Sequence, residues 1–321
     1  MDHSSASIVS ESRAILSKHA RTFNLASFFL TKAQKDDAAV VYAFCRTVDD
    51  LVDEADEPET GRRDVRVLAE MLQGERPPSA LAAAFLDVAA RRNIPLQAAY
   101  DLMDGVVSDV GDVTVKTDAE LVQYGYAVAG TVGLMMCGVI GVDQEWAMAH
   151  AIDLGIGMQI SNICRDVMED ASMGRIYVPT QRLMAAGVNP DALRQGLVDA
   201  EQLAPVIEDL LALADVYYAS GDQGMPAIPT RPRLAICAAS RVYQEIGGEL
   251  ARRDHDVTLG RAVVPFWRKI MCVARALGYA MRCRGLPPRP HDARLHLALQ
   301  GRPGTSKAEP RLRLLKTGKQ A

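Results

Sequence analysis

The sequence predicts an all-α protein folded as a single domain. Almost every readable segment repeats its apolar residues at helical spacing, and no run alternates as a strand would. Breakers such as Pro58, Pro77-Pro78, Pro95, Gly141, Pro179 and Pro190 fall between those segments. The connections are too short to separate domains, and no internal repeat or low-complexity core interrupts them.

Helices are expected at roughly 6–20, 35–55, 61–73, 79–92, 96–110, 118–141, 144–171, 191–196, 200–221, 231–252 and 261–283. The second ends ahead of Pro58, and Pro77-Pro78 separates the third from the fourth. Pro95 precedes the fifth, while Gly141 closes the sixth, which should break near Gly130–Gly133. The long 144–171 helix stops before Pro179, Pro190 opens the next, and the turn "GMPAIPTRP" at 224–232 parts the following two. From about Pro287 the chain is expected to be a loose basic end, so the domain is drawn as 1–286 and the tail as 287–321.

Hydrophobic residues make up 49% of the 321, enough for a sizeable core. The net charge of −4 argues against a nucleic-acid partner for the molecule as a whole. That charge is uneven: residues 282–321 hold ten Lys/Arg against two acids, which puts +8 there and −12 on the preceding 281 residues. A solvated basic tail is the simplest reading, with contact to anionic lipid or RNA as the alternative.

The six cysteines (Cys45, Cys137, Cys164, Cys237, Cys272, Cys283) form no CxxC pair and no zinc spacing. In apolar helical surroundings a free thiol behaves as a small hydrophobe. The opening "MDHSSASIVSESRAI" lacks a basic region followed by an apolar one, so no secretory signal is read there. Together these predict a cytoplasmic location. The uncharged stretch "YAVAGTVGLMMCGVIGV" at 126–142 falls short of the ~20 residues of a membrane span and is glycine-rich. It is expected to be buried, its small residues letting helices approach or leaving room for a ligand. The scattered histidines show no HExxH pattern and are read as surface or structural.

Two acidic stripes carry the chemistry. In "YAFCRTVDDLVDE" Asp49 and Asp53 are four apart and share a helix face, with Arg46 one turn earlier. Like charges at that spacing repel by about 0.2–0.5 kcal/mol in an isolated helix. A divalent cation is the economical compensation, and oxygen-only ligands suit magnesium. A solvated acidic helix end is the plain alternative for this cluster alone. In "QISNICRDVMEDASMGRIYVP" Asn162, Asp166 and Asp170 repeat the spacing over two turns, with Gln159 a turn earlier and Arg165, Arg175 and Tyr177 close by. A surface helix would alternate signs here to gain salt bridges, and this one does not.

The pair is more telling than either stripe. Facing carboxylates would hold magnesium ions, the ions would hold a diphosphate, and arginines would complete its neutralisation. Diphosphate then becomes a good leaving group. An apolar lining short of water would protect the allylic carbocation left behind. This is isoprenoid diphosphate chemistry.

With both stripes in hand, the sequence resembles the squalene/phytoene synthase family, the head-to-head isoprenoid synthases. The matching stretches are "HARTFNLASFFL" (19–30), "VVYAFCRTVDDLVDE" (40–54), "YGYAVAGTVGLMM" (124–136), "QISNICRDVMEDASMGRIYVP" (159–179) and "ASRVYQEIGGEL" (239–250). The resemblance implies an isoprenoid synthase helical bundle around one central cavity. It places the metal ligands on Asp49, Asp53, Asn162, Asp166 and Asp170, and diphosphate contacts on Arg46 and Arg165. Tyr42, Gln159, Tyr243 and Arg261 match residues that line the site, with Tyr243 among the catalytic set. Arg21, Phe23, Ser27, Ala39 and Val132 fall on substrate-binding stretches, and the small Ser27 and Ala39 would deepen the tail pocket.

The resemblance further implies two identical prenyl diphosphates as substrates and magnesium, or manganese in its place, as cofactor. The stretches at 124–136 and 217–247 look most like bacterial phytoene synthases, which use geranylgeranyl diphosphate, lose a proton at the end and need no NADPH. Peripheral contact with a membrane is expected because the product is a hydrocarbon. The rivals are a farnesyl diphosphate-using sister enzyme (presqualene diphosphate, dehydrosqualene or squalene synthase), a non-catalytic assembly factor, and a cyclising terpene synthase. All four aspartates are present, which argues against the second, and the "GRIYVP" continuation argues against the third. The sequence leaves the oligomeric state open.

Overall fold

The computed structural model describes residues 3–19, 29–283 and 285–306. Helices account for nearly all regular structure among them: α1 (His3–His19), α2 (Lys32–Asp53), α3 (Pro58–Gln73), α4 (Ala80–Arg92), α5 (Leu96–Val107), α6 (Asp118–Gly125), α7 (Thr131–Ile140), α8 (Glu145–Ser172), α9 (Thr180–Ala185), α10 (Pro190–Arg194), α11 (Ala200–Gly224), α12 (Thr230–Ala251) and α13 (Phe266–Arg282). Two-residue strands β1 (Val113–Thr114) and β2 (Arg175–Ile176) pair in parallel, Val113 opposite Arg175. The all-α expectation holds, and helix ends follow local chemistry. Thr31 and Gln34 form a reciprocal capping box that starts α2. Ser79 caps α4, Thr117 caps α6, and Gly74 in the left-handed region closes α3.

The long α8 is the axis of the molecule. It packs along α11 and also touches α7 and α12. The break expected in the 118–141 helix is a π-helical turn, Tyr126–Gly130, between α6 and α7. By length and composition Asp118–Ile140 would suffice for a membrane span, but half of its most apolar window is buried inside the protein. Here the small residues act by letting backbones meet. A methyl group on Gly155 of α8 would overlap the carbonyl of Ala129, and one on Gly133 of α7 would sit 2.5 Å from the carbonyl of Ala151.

The chain after α13 differs from the expected loose end at Pro287. Residues 285–306 fold back on the body, with a 3-10 turn at Ala293–Leu299 whose His296 and Leu299 are buried. The anchor is Asp153 of α8, fully buried. His291 donates to it at 2.6 Å, His296 at 2.9 Å and Ser220 at 2.5 Å. The amide of Ser306 donates to His296 Nδ1, which leaves the proton of that ring on Nε2, facing Asp153. Burial pushes the Asp153 carboxyl up, but the two histidine hydrogen bonds outweigh it and hold the group below its ordinary value. Gly304, at φ 72°, lies where a side chain would strike Leu134 and Ile152. His150, Asp153 and His291 also bring metal-ligand atoms within 4.8 Å of one another. Each of those atoms already has a hydrogen-bond partner, so the cluster is a latch. Residues 307–321 lie outside the described residues.

Two outcomes follow from this packing. Gly155→Ala should lower stability by about 1–3 kcal/mol, the usual range for overpacking, read as a lower melting temperature. Asp153→Ala strands His291 and His296 without an acceptor. Limited proteolysis should then cut within 285–306 well before the helical body, whereas the wild type resists there.

Candidate active site

One cavity of about 720 Å³ runs inside the bundle. Its walls come from α7 (Val132, Gly133, Met136), α8 (Ala147, Ala151, Leu154, Met158), α12 (Ile236, Ala239, Val242, Ile246) and the end of α11. Polar groups gather at one end: Tyr42 from α2, Gln159, Asn162 and Arg165 from α8, Tyr243 from α12, and Arg261 from the segment before α13. Seven residues picked from the sequence therefore line a single cavity, Val132 being the seventh. Ala39 does not. It is fully buried in helix packing one turn before Tyr42, so its small size serves the contact of α2 with its neighbours. Arg21, Phe23 and Ser27 lie outside the described residues.

Of the two stripes, Asn162 lines that polar end itself, Asp166 is held there by Arg165 and Arg261, and Asp49 and Arg46 lie within electrostatic reach of Tyr42. Arg175, at the start of β2, binds Asp53 at 2.9 Å and so ties the end of α2 to the strand that follows α8. Arg165 holds Asp166 through two bonds of 2.8 and 2.6 Å, and Arg261 reaches the same carboxylate at 3.1 Å. Arg46 pairs with Asp50, the acid beside the stripe.

Electrostatic strain marks the carboxylates. Burial, with repulsion from Asp53, Asp50 and Asp109, pushes Asp49 up to about 7 from its ordinary 3.8, against the pull of Arg46. Burial and the charges of Asp166, Glu169 and Asp109 push Asp170 up to about 7, with Arg175 opposing. Nothing in the sequence singled out Asp109. The β1–β2 pairing holds the loop after α5 against the segment that follows α8, which places Asp109 within reach of both motifs. Tyr124 donates to it at 2.8 Å and stacks on Tyr177 at 4.6 Å, and burial pushes its carboxyl up to about 6.

These groups fit a divalent cation. Asn162 Oδ1 is buried without a hydrogen-bond partner, and the Asp49 and Asp170 carboxyls are burdened by like charge that a cation would relieve. An all-oxygen donor set of this kind suits magnesium or manganese. The geometry therefore sets a rim of carboxylates, arginines and an unpartnered amide oxygen, a chemistry suited to a cation and an anion, beside a largely apolar pocket.

Comparison with known proteins agrees. The family model for squalene/phytoene synthase matches residues 16–268. A 15-cis-phytoene synthase from Paracoccus sp. is 32% identical over 305 residues, covering 89% of this chain and 99% of the relative. A phytoene synthase from Rhodobacter capsulatus is 34% identical over 285 residues, covering 87% and 84%. Among solved structures, a dehydrosqualene synthase in complex with ligand superposes with a TM-score of 0.78 at 26% identity, covering 87% of this chain and 98% of that one. A squalene synthase from Alicyclobacillus acidocaldarius shares the fold, with a TM-score of 0.70 at 21% identity over 80% and 97% of the two chains. The molecule is thus an all-α isoprenoid-type synthase. It belongs to the squalene/phytoene synthase family and is a prenyltransferase of that family.

The raised carboxyls set a pH dependence. A group whose folded pKa exceeds its unfolded value adds stability at low pH and loses it as pH rises through the folded pKa. The metal-free protein should therefore lose stability from this cluster between about pH 4 and 7. Asp49→Asn should raise the melting temperature at pH 8 by a few degrees, and the gain should shrink toward pH 5. Magnesium should stabilise the wild type at pH 8 and do little at pH 5.5, where protons compete for the ligands. Scanning calorimetry across this range checks all three.

Proposed function

We propose that this protein condenses two geranylgeranyl diphosphates head to head, through prephytoene diphosphate, to phytoene in carotenoid biosynthesis. The observation that carries the reading is one deep, largely apolar cavity with Tyr42, Gln159, Asn162, Arg165, Tyr243 and Arg261 in its lining, whose two arginines hold Asp166 of the second carboxylate motif. Asp49, Asp53, Asn162, Asp166 and Asp170 would hold magnesium, with manganese as a substitute, and the metal supplies the charge neutralisation that makes diphosphate a good leaving group.

The chain's own groups do the rest. Arg46, Arg165 and Arg261 offer planar forks to phosphate oxygens, and each can exchange a carboxylate partner for the incoming anion. Tyr42 and Gln159 flank the neck of the cavity and orient the reacting ends. Burial holds the Tyr243 hydroxyl above its ordinary pKa, so it stays protonated and serves as a donor beside Arg165 and Asp166. Past the neck the walls are mostly aliphatic and sulfur side chains, with His150 at the far end, and they keep water from the cation formed when the first carbon–oxygen bond breaks. The double bond of the second substrate attacks that carbon and a proton leaves, giving the cyclopropylcarbinyl diphosphate. Its ionisation, rearrangement and loss of a second proton give the product.

Depth favours the longer substrate. From Asn162 to Ala147 the cavity follows fifteen residues of α8, about 22 Å at helical rise, enough for four isoprene units laid out. The phytoene synthase names of the relatives support the same choice. Six free cysteines and an apolar product support a cytoplasmic enzyme with peripheral membrane contact.

Purified protein with magnesium and geranylgeranyl diphosphate, without NADPH, should yield phytoene by chromatography. Turnover of farnesyl diphosphate alone would transfer the reading to the thirty-carbon sister enzymes. Asp49→Ala and Asp166→Ala should each abolish product while keeping the helical circular dichroism signal. Activity retained in either variant removes the metal-cluster reading.

A further inference from the structure

The last long helix leaves its apolar face uncovered. Of the fourteen large hydrophobic residues exposed among the described residues, nine lie between Leu259 and Leu286. On α13, Phe266, Ile270, Leu277 and Met281 recur at intervals of four, seven and four and share one stripe, with Trp267 and Met271 beside it. Phe266 is 74% exposed and Trp267 55%. The opposite face, with Cys272, Ala276 and Ala280, is the one packed against α12. Monomer surfaces rarely gather an apolar patch of this kind without an occupant.

The charge pattern says which occupant. The sequence of 257–291 contains seven Lys/Arg and no acid in a molecule of −4. Arg261 and Arg268 pair with acids of α8 and α12, and the basic excess beside the stripe comes from the others. Arg275 and Arg282 border the stripe on α13, and Lys269 borders the cavity. A second copy docking through the same patch would set equal basic edges against each other. The remaining tail holds Lys307, Arg311, Arg313, Lys316 and Lys319 against the single acid Glu309, so it too repels this surface. An apolar stripe with basic borders and an interfacial Trp instead matches an anionic lipid bilayer. The excess acid on the rest of the molecule would turn this face toward the membrane.

Position adds a third argument. Arg261, Ala262, Val263, Val264 and Lys269 line the cavity, and Val263 is 69% exposed. The patch is therefore continuous with the open side of the cavity. We infer that α13 and the segment leading into it form an interfacial membrane anchor, which seats the cavity mouth on anionic lipid so that prenyl chains pass between bilayer and pocket. The route for prenyl chains rests on the function proposed above; the anchor itself rests on the patch and its charge.

The full-length protein should float with vesicles of phosphatidylglycerol and phosphatidylcholine, and bind pure phosphatidylcholine vesicles at least tenfold less. F266E/I270E should lose anionic-vesicle binding at least tenfold while keeping its melting temperature. R275E/R282E should lose binding and its salt dependence together. Wild-type protein that does not bind, or F266E/I270E that binds as before, overturns the anchor. So does a wild-type dimer on size exclusion that F266E/I270E dissociates, because the patch would then belong to a second copy. Vesicle binding with no turnover of geranylgeranyl diphosphate would leave the anchor standing and remove the proposed function. Turnover in detergent without vesicle binding would do the reverse.

Discussion

The structure depends on holding mutually repelling carboxylates together at the mouth of an apolar cavity. Left alone, Asp49, Asp53, Asp109 and Asp170 would push α2 and α8 apart. Several contacts resist this. Arg175 bridges to Asp53, the β1–β2 pairing fixes the loop that bears Asp109, and Tyr124 stacks on Tyr177 behind it. The strain remains visible in carboxyls raised to about 7. A rim under such strain has free energy to gain from binding cations, and a cation-filled rim in turn attracts a polyanion. Scaffold stability is given up so that ligand binding is favoured.

The cavity makes a matching demand on the helices behind it. A pocket deep enough for a long chain removes core volume, which must be recovered by tighter packing elsewhere. Gly133, Ala151 and Gly155 meet both needs, because they let α8 touch α7 and the π-helical turn before it backbone to backbone and add little side chain to the lumen. That explains why the most hydrophobic stretch of the sequence is also rich in glycine, and why it lies half-buried inside the protein.

The spacing of the candidate ligands was legible in the sequence because it follows from helical geometry. Asp49 with Asp53, and Asn162 with Asp166 and Asp170, share faces at intervals of four, and helices at both sites preserve that geometry. Helix boundaries were legible to within a few residues because prolines and glycines mark them. Asp109 was not legible, since it sits in a loop and its position depends on a strand pairing of two residues. The Asp153 latch was hidden for a related reason: its partners His291 and His296 lie 138 and 143 residues away, and no local pattern joins them. Ala39 shows the opposite error. A small residue near a site reads as space, but burial in a helix contact explains it equally well.

The latch and the uncovered helix together give the cavity a direction. At its deep end His150 lines the pocket, and its other ring nitrogen meets the carbonyl of Arg289 at 3.3 Å, so the folded-back segment 285–306 stands behind that wall. Gly304 presses against Leu134 and Ile152 nearby. The exposed residues are at the other end, where Arg261 is about half exposed and Val263 is solvent-facing. A chain lying in the pocket thus meets packed protein at one end and, at the other, an apolar helix face bordered by basic residues. Closing the wrong exit and greasing the right one would steer a water-insoluble product using side chains alone, with no moving lid required.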